Sequence, residues 1–277
     1  MGAITQAKQE IQQAKQPDNS FAGLIKRCAP QLQAVMPKGC TTERLTHLAI
    51  AAYKQTPKLS ECSVTSILSC CLRCAELGLM PNDAMGSAYV IPQWNSKTHR
   101  YEAEFRLGKN GMLDLVKRHP DVIEVYTQCV YEGDDFTYFN NETGHHFTFT
   151  PNFKAQHDED KLVVVYLVCE LKNGSIAFDY MMKDDVDKIK KASKAGDKGP
   201  WATYYEAMAE KSVIRHAFQR GKLPYSVETA DAVNDDGNTP VILDDEGNRI
   251  FEDPLAPEPT EVPANVDAET GEIIDVN

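Results

Sequence analysis

The stretch SVTSILSCCLRCAELGLMP (residues 63–81) is followed by SAYVIPQWNSKTHRYEAEFRLG (residues 87–108), and between the two the hydrophobic period changes from helical to alternating. In the first, Val64, Ile67, Leu68, Cys71, Leu72 and Ala75 follow the i, i+3, i+4, i+7 rule, which predicts a helix with an apolar face. Gly78 supplies its left-handed cap and Pro81 prevents its continuation. In the second, Ala88 to Pro92 reads as a strand and Asn95-Ser96-Lys97 as a polar turn. Tyr101, Ala103, Phe105 and Leu107 then alternate with Glu102, Glu104 and Arg106, completing a hairpin. A helix that hands over to a hairpin points to an α+β fold.

Working outward gives the same class. Upstream, Phe21, Leu24, Ile25 and Cys28 fall at helical spacing, as do Leu45, Leu48, Ala49 and Ala52. Downstream, Gly108 to Gly111 reads as a loop and Met112 to Arg118 as a short helix stopped near Pro120. Val122 to Tyr131 is a long β-branched strand, and Phe136–Phe139 and Phe147–Thr150 flank a turn at Asn140 to Gly144. Leu162 to Leu171 is almost continuously apolar and is expected to be a central strand, turned by Asn173-Gly174 into Ser175–Met181. Two closing helices are expected, one over Asp184–Ala192 with Asp184 as its cap, the other from Pro200 to about Arg220. The architecture is thus N-terminal helices, a mainly antiparallel sheet of hairpins, and closing basic helices.

Charge divides the chain. The whole sequence is formally −12, yet Asp231–Asn277 holds fourteen acids against Arg249 alone, leaving the first 230 residues close to neutral. That segment also carries Pro240, Pro254, Pro257, Pro259 and Pro263 and only Phe251 as an aromatic, so it is expected to be a disordered acidic tail. Three units follow: residues 1–40 as a helical arm suited to oligomer contacts, 41–230 as the core, and 231–277 as the tail. No run approaches the ~18 apolar residues of a membrane span. The polar Met1–Gln16 does not read as a secretory signal, so a cytoplasmic location is expected.

Against this acidic background, Lys188 to Lys222 places nine cations against Asp197, Glu206 and Glu210. Such a stripe fits a polyanion. Lys190, Lys191, Lys194 and Lys198 run off one helix into a glycine-containing loop, while Lys211, Arg215 and Lys222 share a face of the next. Since no acid lies between Lys211 and Lys222, a salt-bridged surface is disfavoured and nucleic-acid contact is expected. A second cluster includes Arg106, Lys109 and Lys117, with Gly108 and Gly111 framing Lys109 so that backbone could approach a ligand closely. The two clusters are expected to form opposite walls of one groove. Trp201 beside Pro200 is read as packing rather than base stacking.

Catalytic signatures are few. Phosphate-loop, nucleophile-elbow and HExxH patterns do not occur. Cys71-x-x-Cys74 lacks a second ligand pair, and the eight cysteines are read as reduced, buried thiols; no metal or cofactor is expected. The alternative is an enzyme, since Asp121 with Glu170-x-Lys172 resembles a PD-(D/E)xK nuclease in which carboxylates hold Mg²⁺ and a lysine orients water.

Taken in order, several landmarks resemble the RecT/Red-beta family of phage and prophage single-strand annealing proteins, nearest its RecT branch. They are Cys74-Ala75-Glu76-Leu77-Gly78-Leu79 with Pro81, Gly86-Ser87-Ala88-Tyr89 with Pro92, and Gly111-Met112-Leu113-Asp114-Leu115. Tyr131-Glu132-Gly133-Asp134-Asp135-Phe136 follows, then Ser193-Lys194-Ala195-Gly196 and Gly199-Pro200-Trp201, leading to Met208, Lys211 and Arg215. The resemblance covers about residues 40–225. It implies a non-catalytic, ATP-independent protein of the bacterial host cytoplasm that binds single-stranded DNA, assembles into rings or filaments, and pairs complementary strands in recombination. It implies DNA contact by the basic helix after Gly-Pro-Trp and by a Gly-Tyr-(Arg/Lys)-Gly loop, here Gly108-Lys109-Asn110-Gly111, where the cation stands one position early. The partners implied are an exonuclease and a host single-strand-binding protein. The acidic tail either competes for the groove or docks Ile273, Ile274 and Val276 on such a partner.

Overall fold

The computed structural model describes residues 20–35, 41–193 and 199–240. The rest of the expected N-terminal arm, the tail beyond residue 240, and Lys194 and Lys198 lie outside the described residues.

Helices α1 (Phe21–Arg27), α2 (Ala29–Val35) and α3 (Thr42–Gln55) precede α4 (Val64–Glu76), the helix read from the period-3.6 stretch. The Ser63 side chain caps α4 by accepting from the Ser66 amide. At its far end Gly78 takes φ +61, and the Gly78 and Leu79 amides return to the carbonyls of Ala75 and Cys74. That left-handed return satisfies the last carbonyls of the helix. Apolar side chains surround α4 almost completely, since α2 and α3 pack on it as well as the hairpin of β1 (Ala88–Asn95) and β2 (Arg100–Leu107). Ser66 ties helix to hairpin, its hydroxyl accepting from the Ala103 amide at 2.8 Å. On β2, Tyr101, Ala103, Phe105 and Leu107 are buried, as the alternation requires.

After β2 comes α5, which runs Lys109–Lys117 rather than starting at Met112. The correction has a steric cause. A Cβ at Gly108 would lie 1.8 Å from the Gly86 carbonyl oxygen, and one at Gly111 would lie 2.0 Å from that of Ser87. The two glycines let the first turn of α5 press against the 86–87 backbone, so the close approach is to the chain itself.

Strand β3 (Val122–Tyr131) pairs with β6 (Leu162–Leu171), and β6 pairs with β7 (Ile176–Met182), all antiparallel, which makes β6 central as expected. Its two sides face different cores. Val165, Leu167 and Cys169 join the main helical core, whereas Val164, Tyr166 and Val168 join an aromatic cluster beneath the hairpin of β4 (Asp135–Asn141) and β5 (Gly144–Thr150). Phe136 stacks on Tyr166 at 5.1 Å and Tyr138 on Phe178 at 4.3 Å. Burial on both faces explains the unbroken apolar run.

Helix α6 (Lys183–Ala192) is N-capped by Met182 without a side-chain bond, so Asp184 lies in the first turn and is not the cap. A carboxylate in the first turn still favours the positive end of the helix dipole. The segment expected as one helix from Pro200 is broken at Tyr204 (φ −135°, ψ 47°) into α7 (Pro200–Thr203) and α8 (Tyr205–Gln219). Helix α8 crosses the sheet and buries Ala209, Val213, Ile214 and Ala217.

The boundary expected at Asp231 moves. A further helix, α9 (Val227–Asp235), is capped by Ser226 and buries Ala232. The chain then lies along β2: Gly237 N–H donates to Phe105 O at 2.8 Å, and Phe105 N–H donates to Asn238 O at 2.9 Å. Averaging composition over 231–277 hid this short docked piece, because acids further on dominate the count. Among the described residues no helix is long and apolar enough to cross a membrane.

Candidate nucleic-acid interface

Arg106, near the end of β2, pairs with Glu104 at 2.7 Å and lies against Gly237. Lys109, the first residue of α5, reaches across to Glu210 of α8, whose other oxygen accepts from Thr127 Oγ1 at 3.0 Å. This pair brings the first turn of α5 against α8. Asn110 donates its side-chain amide to Met85 O at 2.7 Å, so this position fastens α5 to the preceding loop.

The face of α8 is less bare than its sequence implies. Lys211 and Arg215 both reach Asp236, at 2.9 and 2.6 Å, and that carboxylate is 3% exposed. Asp236 also accepts from the Leu107 amide at 2.9 Å. Burial pushes the Lys211 ammonium below the ordinary lysine range, with Asp236 opposing the shift. One turn on, His216 and Arg220 face Asp179 at 2.8 and 3.3 Å. The acid-free stretch from Lys211 to Lys222 thus takes its acids from β7 and from beyond α9. Lys222 follows Gly221 and is half-buried.

On α6, Lys190 pairs with Glu159 at 2.6 Å and sits 5.4 Å from the centre of the Tyr205 ring. Lys191 is exposed. An open cleft of about 470 Å³ adjoins this group; Lys109, Tyr131, Glu159, Tyr204, Glu206 and Glu210 are among its lining residues. Trp201 is buried at 2% exposure, in keeping with the packing reading, whereas Tyr204 at the helix break is 65% exposed. The structure thus gathers Arg106, Lys211 and Arg215 about Asp236 and Gly237, holds Lys109 separately on Glu210 of the same helix, and joins Lys109 to the partner of Lys190 by a cleft. Lys117 is exposed at the opposite end of α5, roughly 12 Å along the axis from Lys109.

Other chemistry finds less support. Six of the described cysteines are buried and Cys28 is half-buried, all unbridged. Burial pushes the Cys62 and Cys71 thiols up to about 12 and that of Cys169 up to about 11, the opposite of an activated nucleophile. For the nuclease reading, antiparallel pairing does bring Asp121 and Lys172 to one end of the sheet, the Lys172 amide donating to Asp121 O at 2.9 Å. Among the described residues, however, no group of three His, Cys, Asp or Glu side chains could hold a metal ion.

Sequence reasoning missed Asp236 and Arg73, whereas Tyr204, with Trp201 and Tyr205, is legible in the sequence as an aromatic beside the lysines that could stack on bases. Arg73 of α4 bridges Glu76 at 2.6 Å and Asp235 at 2.5 Å. One signal was present: Ser226 followed by Ala230 and Val233 at helical spacing marks a capped helix ahead of Asp235-Asp236-Gly237.

A cation-bearing helix lies over an antiparallel sheet, with further cations brought to it from β2 and α5, in an α+β protein. The model of the RecT family matches residues 43–247. Protein RecT of Escherichia coli (strain K12) is 34% identical over 221 residues, which cover 77% of this chain and 78% of that relative. The chain belongs to the RecT family, and hence to the recombination proteins of the single-strand annealing kind.

Proposed function

We propose that the protein binds single-stranded DNA and anneals complementary strands without ATP, as an oligomeric ring or filament in the bacterial cytoplasm. The observation that carries this reading is the family match over most of the core. Arg106, Lys109, Lys211 and Arg215 form the centre of the groove, continued by Lys190, Lys191 and Lys222, with Lys117 at its margin; Lys194 and Lys198 are assigned to DNA contact from the sequence. What supports the placement is that cations of β2 and α8 meet at the 236–237 segment while Lys109 of α5 reaches Glu210 on the same helix.

The mechanism is physical. Lysines and arginines offset phosphate repulsion between two approaching strands and release counterions, so binding weakens with salt. Gripping the backbone leaves base edges free, and Watson–Crick pairing supplies the test of sequence. An exonuclease supplies the strands, and the segment beyond residue 240 is the part suited to a host single-strand-binding protein. The test is annealing of two complementary oligonucleotides by the full chain with EDTA and without nucleotide. Rapid pairing is expected; no acceleration over the protein-free rate refutes the reading.

A further inference from the structure

The acids that close the cation cluster are held on a short segment with its own character. After α9 the chain reads Asp235-Asp236-Gly237-Asn238-Thr239, without an apolar side chain until Pro240. It lies along the β2 edge by the Gly237–Phe105 and Phe105–Asn238 bonds, and Thr239 Oγ1 donates to Ala103 O at 2.8 Å. Gly237 adopts φ +91°, and a Cβ there would come within 3.0 Å of the Arg106 guanidinium. Segments held by a few hydrogen bonds and little apolar area open at low free energy.

Its geometry is that of a polyanion on a cation track. Successive carboxylates, Asp235 and Asp236, meet Arg73 and the Lys211–Arg215 pair. The fit is incomplete on both sides: the Nε atoms of Arg73 and Arg106, and Oδ2 of Asp235, are buried without a well-aligned hydrogen bond. A phosphodiester pairs bidentately with a guanidinium fork through its two non-bridging oxygens, and a strand repeats that group at every nucleotide. Beyond Pro240 the chain carries eleven further acids, so a released segment remains tethered to a strongly anionic stretch.

We propose that residues 235–239 are a phosphate-mimicking strap, which occupies the anion site formed by Arg106, Lys211 and Arg215 and is displaced by the backbone of single-stranded DNA. This rests on the DNA-binding reading above and adds a control to it: the site is shut in the free protein, and DNA must outcompete Asp236 to enter. Non-specific polyanions that bind weakly are thereby excluded.

The experiment uses the full chain and a fluorescent oligo-dT probe, comparing the wild type with Asp236→Asn and Gly237→Ala. If the strap is closed in about nine molecules of ten, unlatching it tightens binding about tenfold. Both variants should show this gain, one by losing the carboxylate and the other by losing the strap's backbone conformation. In parallel, hydrogen exchange is followed at the Phe105 and Gly237 amides of the wild type. They are expected to be protected in the free protein and to exchange faster when oligo-dT is added. Oligo-dT binding by the wild type with unchanged amide protection, or with no tightening in stably folded variants, overturns the strap and leaves the DNA-binding reading intact. Failure of wild-type protein to bind oligo-dT overturns both.

Discussion

Replacing Gly108 or Gly111 by alanine separates two explanations of the same pair of glycines. If they exist to let a ligand approach Lys109, alanine at Gly111 should stabilise the protein. That residue lies inside α5 with no positive φ, and Gly→Ala in a helix interior gains about 1 kcal/mol. The structure gives the opposite sign. A Cβ at Gly108 falls 1.8 Å from Gly86 O, and one at Gly111 falls 2.0 Å from Ser87 O, where real contacts stay beyond 3.0 Å. The obstacle is backbone, so α5 and the 86–87 segment must part by about 1 Å. Parting them breaks the 3.0 Å bond from Gly108 N–H to Ser87 O and loosens the one from Asn110 to Met85. A lost hydrogen bond costs about 1 kcal/mol and forced repacking about 1–3 more. The expected losses are about 3 kcal/mol for Gly108→Ala and about 2 for Gly111→Ala, after its gain in helix propensity. For a domain of this size that is roughly 4–12 °C in Tm. Urea and thermal unfolding followed by circular dichroism at fixed protein concentration measure both. Unchanged or increased stability in Gly111→Ala, with loss of DNA affinity alone, would refute the steric account and restore the ligand explanation.

Other outcomes are expected. Lys211→Ala and Arg215→Ala should weaken single-stranded DNA binding regardless of sequence and flatten its salt slope by roughly 0.7 per lost contact, as read from titrations between low and moderate salt; an unchanged slope in both removes them from the groove. Glu170→Ala should anneal as the wild type does, and labelled oligonucleotide should survive Mg²⁺ with either protein; metal-dependent cleavage lost in the variant would favour the nuclease. Stability should fall above about pH 9 under reducing conditions. Unfolded thiols ionise near 8.5, whereas folded Cys169 holds its proton to about 11 and Cys62 and Cys71 to about 12, chiefly through burial. The native state therefore binds more protons in that window, and each thiol contributes a slope of about −1.4 kcal/mol per pH unit, with Lys211 opposing. Urea midpoints at pH 8, 9 and 10 test this, and a flat profile would contradict the burial of these thiols.

Much of the fold was legible because its signals are local. The 3.6 period of Val64–Ala75 and the alternation of Tyr101–Leu107 are imposed by backbone geometry on neighbours in sequence, and both elements formed where expected. The unbroken run of β6 marked a strand covered on both faces, and the ordered landmarks from Cys74 to Arg215 pointed to the family that the comparisons establish. Helix ends fared less well. Asp184 and Pro200 carry cap chemistry, but the break at Tyr204 and the early start of α5 depend on what packs beside them.

The charges were decided elsewhere. Counting acids between Lys211 and Lys222 found none, yet Asp236 and Asp179 come in from other elements, and Lys109 meets Glu210 across 101 residues of chain. Likewise, the sequence placed glycines beside Lys109, and only the folded chain set Gly86 and Ser87 against them. Periodicity reports which side of an element faces inward. Coulomb attraction and steric exclusion act through space over a few ångströms, so their partners are settled only when distant segments have been brought together.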